Sequence, residues 1–351
     1  MKIVNVGIIG MGNISDIYCE NLCTVHENTR VLACADVNLE AAKAKAEKWG
    51  IPTVQTVDEL LANEDIEIVV NLTPPKFHYE ITKKALLAGK NVYTEKPLAR
   101  TAEEAGILVD LAEEKNLLLG CAPETNYGAS VSTAKALLEQ GAIGDILYAD
   151  ARFRGPGDEN WHPNPAFLYQ EGAGPLFDRG PYFLTDLIYL LGKVDSVFAM
   201  TATGFPTRTI TSEPLKGQVF KVETPSHVQS LLRFEKGYIA STLFSFDMRC
   251  PYDSAVEIFG TKGSIIIRMP IGFGTPVQLC LNGGQYEEVP NVNDRTGNIR
   301  GYAISRMAEC LAEGRKDHPA PASIGRHVVE VMEKYYESAE SGALCKVNSR
   351  P

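Results

Sequence analysis

The stretch VGIIGMGNIS, residues 6–15, decides how the first third of the chain folds. An apolar, β-branched run stops at Gly10-Met11-Gly12-Asn13-Ile14-Ser15, a G-x-G-x-x-S, where a strand would pass into a helix. Each position has a physical task. Gly10 permits the tight turn, Gly12 lets backbone approach a pyrophosphate, and Ser15 is small enough for the helix to pack closely on the strand. Asn13 and Ile14 open the helix, whose unpaired N–H groups face the anion.

A glycine turn is weak evidence by itself, and the discriminating residue is an acid about 20 residues further on, at the end of the second strand. Asp36, closing RVLACAD, fills that place. Val37 and Asn38 follow it, with no adjacent arginine to receive a 2'-phosphate, so the expected cofactor is NAD rather than NADP. The next apolar run leads into NLTPPKFHYE, which sets Thr73, Pro74 and His78 beyond the carboxyl end of a strand, where ligands of open α/β sheets lie. Thr73 can instead cap the following helix. His78 belongs with the cofactor-facing set, in a structural rather than catalytic part.

Apolar runs alternate with amphipathic, helix-length segments to about residue 120. Such strands belong to a parallel sheet covered on both faces, so residues 1–123 read as a doubly wound α/β domain that binds NAD. Beyond Pro123 the pattern changes. Two helical segments precede a stretch of period-2 alternation in which Lys236-Gly237, Lys262-Gly263 and Gly283-Gly284 suit tight hairpin turns. Residues 124–351 therefore read as an α+β domain with a large open, mainly antiparallel sheet. Two helices, closed by Gly314 and Gly342, end the chain.

With 351 residues, 44% hydrophobic, two domains are the first expectation. The net charge of −10 argues against nucleic acid and anionic membranes as partners, because no basic stripe is available for phosphate. A small solute fits better. The interrupted N-terminal run is too short for a signal peptide or a membrane span, which points to the cytoplasm. Eight cysteines show neither a C-x-x-C pair nor zinc-ligand spacing, so neither metal nor disulfide is implied.

Read in order, the glycine turn, Asp36, NLTPP (71–75), EKPLA (95–99), GAIGDI (141–146), GAGPLFDRGPYFLTDLIYLLG (172–192) and EIFGTKGS (257–264) resemble the Gfo/Idh/MocA oxidoreductases over nearly the whole chain. The resemblance implies a Rossmann domain, a second domain whose open sheet builds a homodimer or homotetramer, and NAD(P)-linked redox chemistry on sugars, inositols, glycosides or related diols. By position it places Glu95 and Lys96 at the nicotinamide ribose, Lys96 also at the substrate hydroxyl, and Pro97 in a cis bond.

One motif departs from the family. Where relatives carry D-x-G-x-H, this chain reads Asp178-Arg179-Gly180-Pro181-Tyr182, so Tyr182 replaces the usual acid–base histidine. Tyrosine is a poor base at its reference pKa of about 10, and a neighbouring ammonium lowers that value; Lys96 can supply the charge. Asp178, four residues before Tyr182, shares its helix face and can orient Lys96 or hold a substrate hydroxyl. The bland alternatives are an N-cap for Asp178 and a core aromatic for Tyr182. In NWHPNPAFLYQEGAG (160–174), Trp161, His162, Asn164 and Tyr169 suit a loop that lines a carbohydrate pocket, with His162 a second candidate for the base. The expected activity is hydride transfer between NAD and a secondary alcohol or ketone of a sugar, polyol or glycoside. An NAD-retaining glycosidase-type reaction, a dihydrodiol dehydrogenase and a non-catalytic NAD sensor are the alternatives.

Overall fold

In the computed structural model, which describes residues 2–351, the run before the glycine turn is strand β1 (Val4–Ile9). It joins β2 (Thr29–Ala35), β3 (Thr53–Val54), β4 (Ile68–Asn71), β5 (Asn91–Thr94) and β6 (Leu119–Cys121) in a parallel sheet of order β3-β2-β1-β4-β5-β6. The order reverses between β1 and β4, and at that switch point an open α/β sheet binds its ligand. The connecting helices are α1 (Ser15–Glu20), continued by a π-helical turn (Asn21–Val25), then α2 (Leu39–Trp49), α3 (Val57–Ala62), α4 (His78–Leu87) and α5 (Ala102–Glu114). Helix α3 starts on a capping box between Thr56 and Glu59.

Two later helices, α8 (Tyr302–Glu313) and α9 (Ala322–Ser341), bear on the division into domains. One compact unit comprises residues 1–124 and 298–329, the other 125–297 and 330–351. The single boundary expected between residues 123 and 124 is thus accompanied by a return of the chain, because α8 is fastened to the parallel-sheet unit. Glu124 accepts from Gly301 N and Ala303 N at the start of α8 at 2.9 Å each, and Asn28 Nδ2 donates to Ser305 O at 2.8 Å. Gly314, with φ 66°, closes α8.

The second unit holds α6 (Ala129–Glu139), β7 (Ile146–Arg154), α7 (Gly174–Leu191), β8 (Val194–Ala202), β11 (His227–Phe234), β12 (Ile239–Ser245), β13 (Asp253–Gly260), β14 (Gly263–Arg268), β15 (Val277–Leu281), β16 (Glu287–Val289) and β17 (Cys345–Lys346), with a small ladder of β9 (Thr207–Thr209) and β10 (Val219–Lys221) beside them. Nine strands form one sheet of order β16-β15-β14-β13-β7-β12-β11-β8-β17, antiparallel except at β7–β12. The three expected hairpin turns lie between β11 and β12, β13 and β14, and β15 and β16. Alternation sets the faces: in β11 Val228, Ser230, Leu232 and Phe234 are buried while Gln229, Leu231 and Arg233 are exposed. Helix α7 packs on β7, β11 and β12, and α6 on β14 and β15. No helix among the described residues is long and apolar enough to cross a membrane.

Candidate active site

The nucleotide end is built from strand termini of the first unit. Gly10 has φ 98°, and a Cβ there would lie 2.6 Å from the Leu72 carbonyl carbon, so both turn and close packing require glycine. Gly12 differs: a Cβ would meet nothing within 4 Å. The open space beside it, at the entry to α1, is the cradle that a pyrophosphate needs and a side chain would fill. Ser15 is fully buried and its Oγ donates to Gly12 O at 2.7 Å, which fixes the turn beneath Asn13 and Ile14. Asp36 is half-buried at the end of β2; its two oxygens accept from Met11 N and Asn38 N, each at 2.7 Å. The carboxylate is thereby held beside the glycine turn, and its remaining lone pairs can serve a ribose.

Asn71 organises the following turn. Its Oδ1 accepts from Thr73 Oγ1 at 2.7 Å, and its Nδ2 donates to His78 O and Thr82 Oγ1 at 3.2 and 3.1 Å. Thr73 therefore does not cap α4, and Pro74 leads into a short 3-10 turn instead. His78 does not face a ligand: it is 1% exposed, with Nδ1 2.6 Å from Pro97 O and Nε2 2.7 Å from Thr73 O. Burial lowers its pKa against the pull of those two carbonyls. Its part is to join the Thr73 turn to the segment after Lys96. That segment has the cis Lys96–Pro97 bond that the resemblance implies. Glu95 is buried, accepting from Tyr18 Oη at 2.8 Å and from Lys96 N at 2.9 Å, so α1 is latched to the Glu95-Lys96-Pro97 turn. Tyr18 carries no signal of this in the sequence beyond its place on α1.

In the second unit, α7 begins at Gly174, four residues before Asp178, which excludes the N-cap reading of Asp178. Pro181 sits inside the helix and cannot donate to the preceding turn. Tyr182 is 9% exposed, at the margin of the core, and Asp178 precedes it by one helical turn. Arg179, at a position of the motif that carries no signal in the sequence, lies among these groups: Nε is 3.1 Å from Asp178 Oδ2, and Nη2 donates to Asp158 Oδ2 at 2.6 Å. Burial opposes its charge, yet Asp178, Asp158 and Tyr182 together outweigh it and raise its pKa. A cation thus faces Tyr182 from its own helix.

The loop before α7 divides its expected residues. Trp161 is 57% exposed, and Asn164 is also on the surface. His162 is partly exposed, with ring contacts to Trp161 and Phe167 and with Nδ1 accepting from Asn164 N at 3.0 Å. Tyr169 does not line a surface. It is fully buried against Phe220 and Phe246, with the Arg208 guanidinium over its ring, and it belongs to the core.

A parallel sheet of this order, with an open glycine cradle and a fixed acid at the end of β2, defines a dinucleotide-binding protein of the Rossmann class. Residues 4–122 match the model of an oxidoreductase family with an NAD-binding Rossmann fold, GFO/IDH/MocA, and residues 131–266 match that family's C-terminal domain; the chain belongs to this family. Its cofactor is NAD, which the Gly12 cradle and Asp36 fit. An uncharacterised oxidoreductase of Schizosaccharomyces pombe is 37% identical over 234 residues, 64% of this chain and 58% of that protein. The chain thus spans less than two thirds of that relative. A trans-1,2-dihydrobenzene-1,2-diol dehydrogenase of Xenopus tropicalis is 28% identical over 320 residues, 89% of this chain and 91% of its own. Among solved structures, a levoglucosan dehydrogenase in complex with NADH and L-sorbose superposes with a TM-score of 0.84 at 25% identity, covering 99% of this chain and 100% of its own.

Proposed function

We propose that the protein is an NAD-dependent dehydrogenase acting on a secondary alcohol of a sugar, polyol or glycoside. The observation that carries the reading is the pairing, in a Gfo/Idh/MocA chain, of an open dinucleotide cradle at Gly12 with an α7 that keeps Asp178 and Tyr182 one turn apart beside the Arg179 charge. NAD, when bound, supplies the hydride acceptor. The alcohol oxygen must lose its proton as the hydride departs, and Tyr182 takes it. Arg179 sets a positive charge beside Tyr182 on the same helix, and Asp178 orients the donors around it. Lys96 contributes a charge and a contact to the substrate oxygen; that role comes from the family resemblance. Trp161, His162 and Asn164 offer a stacking face and polar groups to a carbohydrate.

The reaction is tested by following absorbance at 340 nm while purified protein is incubated with NAD and levoglucosan, L-sorbose, D-glucose, myo-inositol or a trans-dihydrodiol. Continuous NADH release with a sugar or polyol supports the reading. Formation of no more than one equivalent points to an enzyme that keeps its cofactor reduced and re-uses it, and no change with any compound speaks for a sensor.

The same reading includes a homodimer or homotetramer formed through the face of the nine-stranded sheet away from α6 and α7. Phe198, Met200, Leu231 and Ile239 are exposed on adjacent strands there, with Met200 72% exposed. An apolar face of that kind on a stable protein calls for a partner surface. Light scattering of the 38.3 kDa chain decides between monomer and oligomer.

A further inference from the structure

The Trp161 indole is exposed, yet its N–H is held by a buried ion pair. Asp158 is 1% exposed; its Oδ1 accepts from Trp161 Nε1 at 3.2 Å and its Oδ2 from Arg179 Nη2 at 2.6 Å. Tyr252 Oη lies 3.0 Å from the same Oδ1, its single proton shared between that oxygen and the Gly157 carbonyl. The Asp158 main-chain oxygen accepts from His162 N at 3.0 Å. Arg179 is fixed in turn, its guanidinium 4.9 Å from the Phe153 ring centroid. Trp161, His162 and Phe167 follow as edge-on and tilted neighbours with centroids 5.3 and 5.2 Å apart.

A surface tryptophan normally samples several rotamers. Here a charge-assisted bond to a carboxylate, itself clamped to α7, selects one. We propose that Asp158 and Arg179 are specificity-determining positioning residues, which hold the Trp161–His162–Phe167 ledge as a preorganised platform for the C–H face of a ring-shaped sugar. The inference rests on the dehydrogenase reading for its substrate class. A ring held in place before binding does not pay to be ordered on binding, which for one large side chain corresponds to roughly 3- to 10-fold in affinity. Arg179 touches both Asp158 and Asp178, so the residue that aims the ledge also stands on the helix of Tyr182.

The experiment uses fluorescence. The chain has two tryptophans, and a Trp49→Phe background leaves Trp161 as the only tryptophan, read by excitation at a wavelength where tyrosine does not absorb. With saturating NAD, levoglucosan, D-glucose and myo-inositol are titrated into this protein and into its Arg179→Met and Arg179→Lys derivatives, with acrylamide quenching measured alongside. At least one ring sugar should change Trp161 emission saturably. Arg179→Met should weaken that binding 3- to 10-fold and raise acrylamide quenching; Arg179→Lys, which keeps the charge and guards against loss of the fold, should fall between. Unchanged NAD affinity in both derivatives separates loss of aim from general damage. The inference is overturned by sugars that leave Trp161 silent, and equally by an Arg179→Met protein with unaltered sugar affinity and quenching. Saturable binding without NADH formation would instead overturn the dehydrogenase reading and leave the platform standing.

Discussion

The two glycines of the first turn should respond oppositely to the same added methyl group. In Gly10→Ala the residue keeps φ 98°, and a side chain in the left-handed region costs about 1–2 kcal/mol. The new Cβ would also lie 2.6 Å from Leu72 C and 2.7 Å from Thr73 N, backbone that cannot retreat because Leu72 N donates to Ile9 O at 2.8 Å in the sheet. Overpacking of that kind costs a further ~1–3 kcal/mol. Together these give about 2–5 kcal/mol, or roughly 5–15 °C in melting temperature for a domain of 150–250 residues. Gly12→Ala meets no atom within 4 Å and its φ is not positive, so its melting temperature without ligand should match the parent's. Its methyl group fills the cradle instead, and NAD should bind at least tenfold more weakly, about 1.4 kcal/mol. Differential scanning calorimetry of the free proteins and titration calorimetry with NAD provide both numbers. A Gly12→Ala protein that binds NAD as the parent does, or a Gly10→Ala protein that melts with it, refutes the assignment of roles.

Asp36→Ala removes the ribose acceptor and the negative charge beside it, so the preference for NAD over NADP should shrink or vanish in direct titrations; unchanged selectivity would reject its role. Burial pushes the Glu124 carboxyl up from 4.5 to about 7, against the three donors that favour its charge. The folded chain therefore holds this proton more tightly than the unfolded chain. The contribution is fully present below pH 4.5 and is lost as pH rises through 7, about 3 kcal/mol in all. Melting temperature should fall from pH 5 to pH 8 in the parent and change less in Glu124→Gln, and parallel curves would contradict this. Leu231→Asp, on the exposed face of β11, should convert the proposed oligomer to a monomer by light scattering, and an unaltered mass would place the interface elsewhere.

The Rossmann half was legible because its signals are local: a glycine turn, an acid a fixed distance on, and strands apolar along their whole length. Strand β7 was not, although its period-2 pattern is intact. Asp150, Arg152 and Arg154 alternate with buried Ala149, Ala151 and Phe153; the two arginines are satisfied across strands by Asp253 and Glu257, and Asp150 by Arg152 on its own strand. That pairing is invisible until β13 lies alongside. The return of residues 298–329 to the first unit rests on Glu124 reaching the start of α8, a contact far apart in sequence. Tyr169 shares a proline-stiffened segment with Trp161, His162 and Asn164, whose residue types suit a pocket, whereas its ring turns inward to Phe220 and Phe246. Arg179 occupies the variable position of a motif read for its flanking residues. Beside Asp178 on its own helix, its second ion-pair partner, Asp158, comes from a loop folded back onto α7.

The most direct test of the central claim compares the parent with Tyr182→Phe and His162→Ala in the 340 nm assay, with NAD affinity measured for each. Proton catalysis contributes roughly 10²- to 10⁴-fold, so the account predicts a turnover loss of that size in Tyr182→Phe with NAD binding intact, and a much smaller loss in His162→Ala. Near-parental turnover in Tyr182→Phe together with its collapse in His162→Ala would contradict the account and move the acid–base role from α7 to the loop.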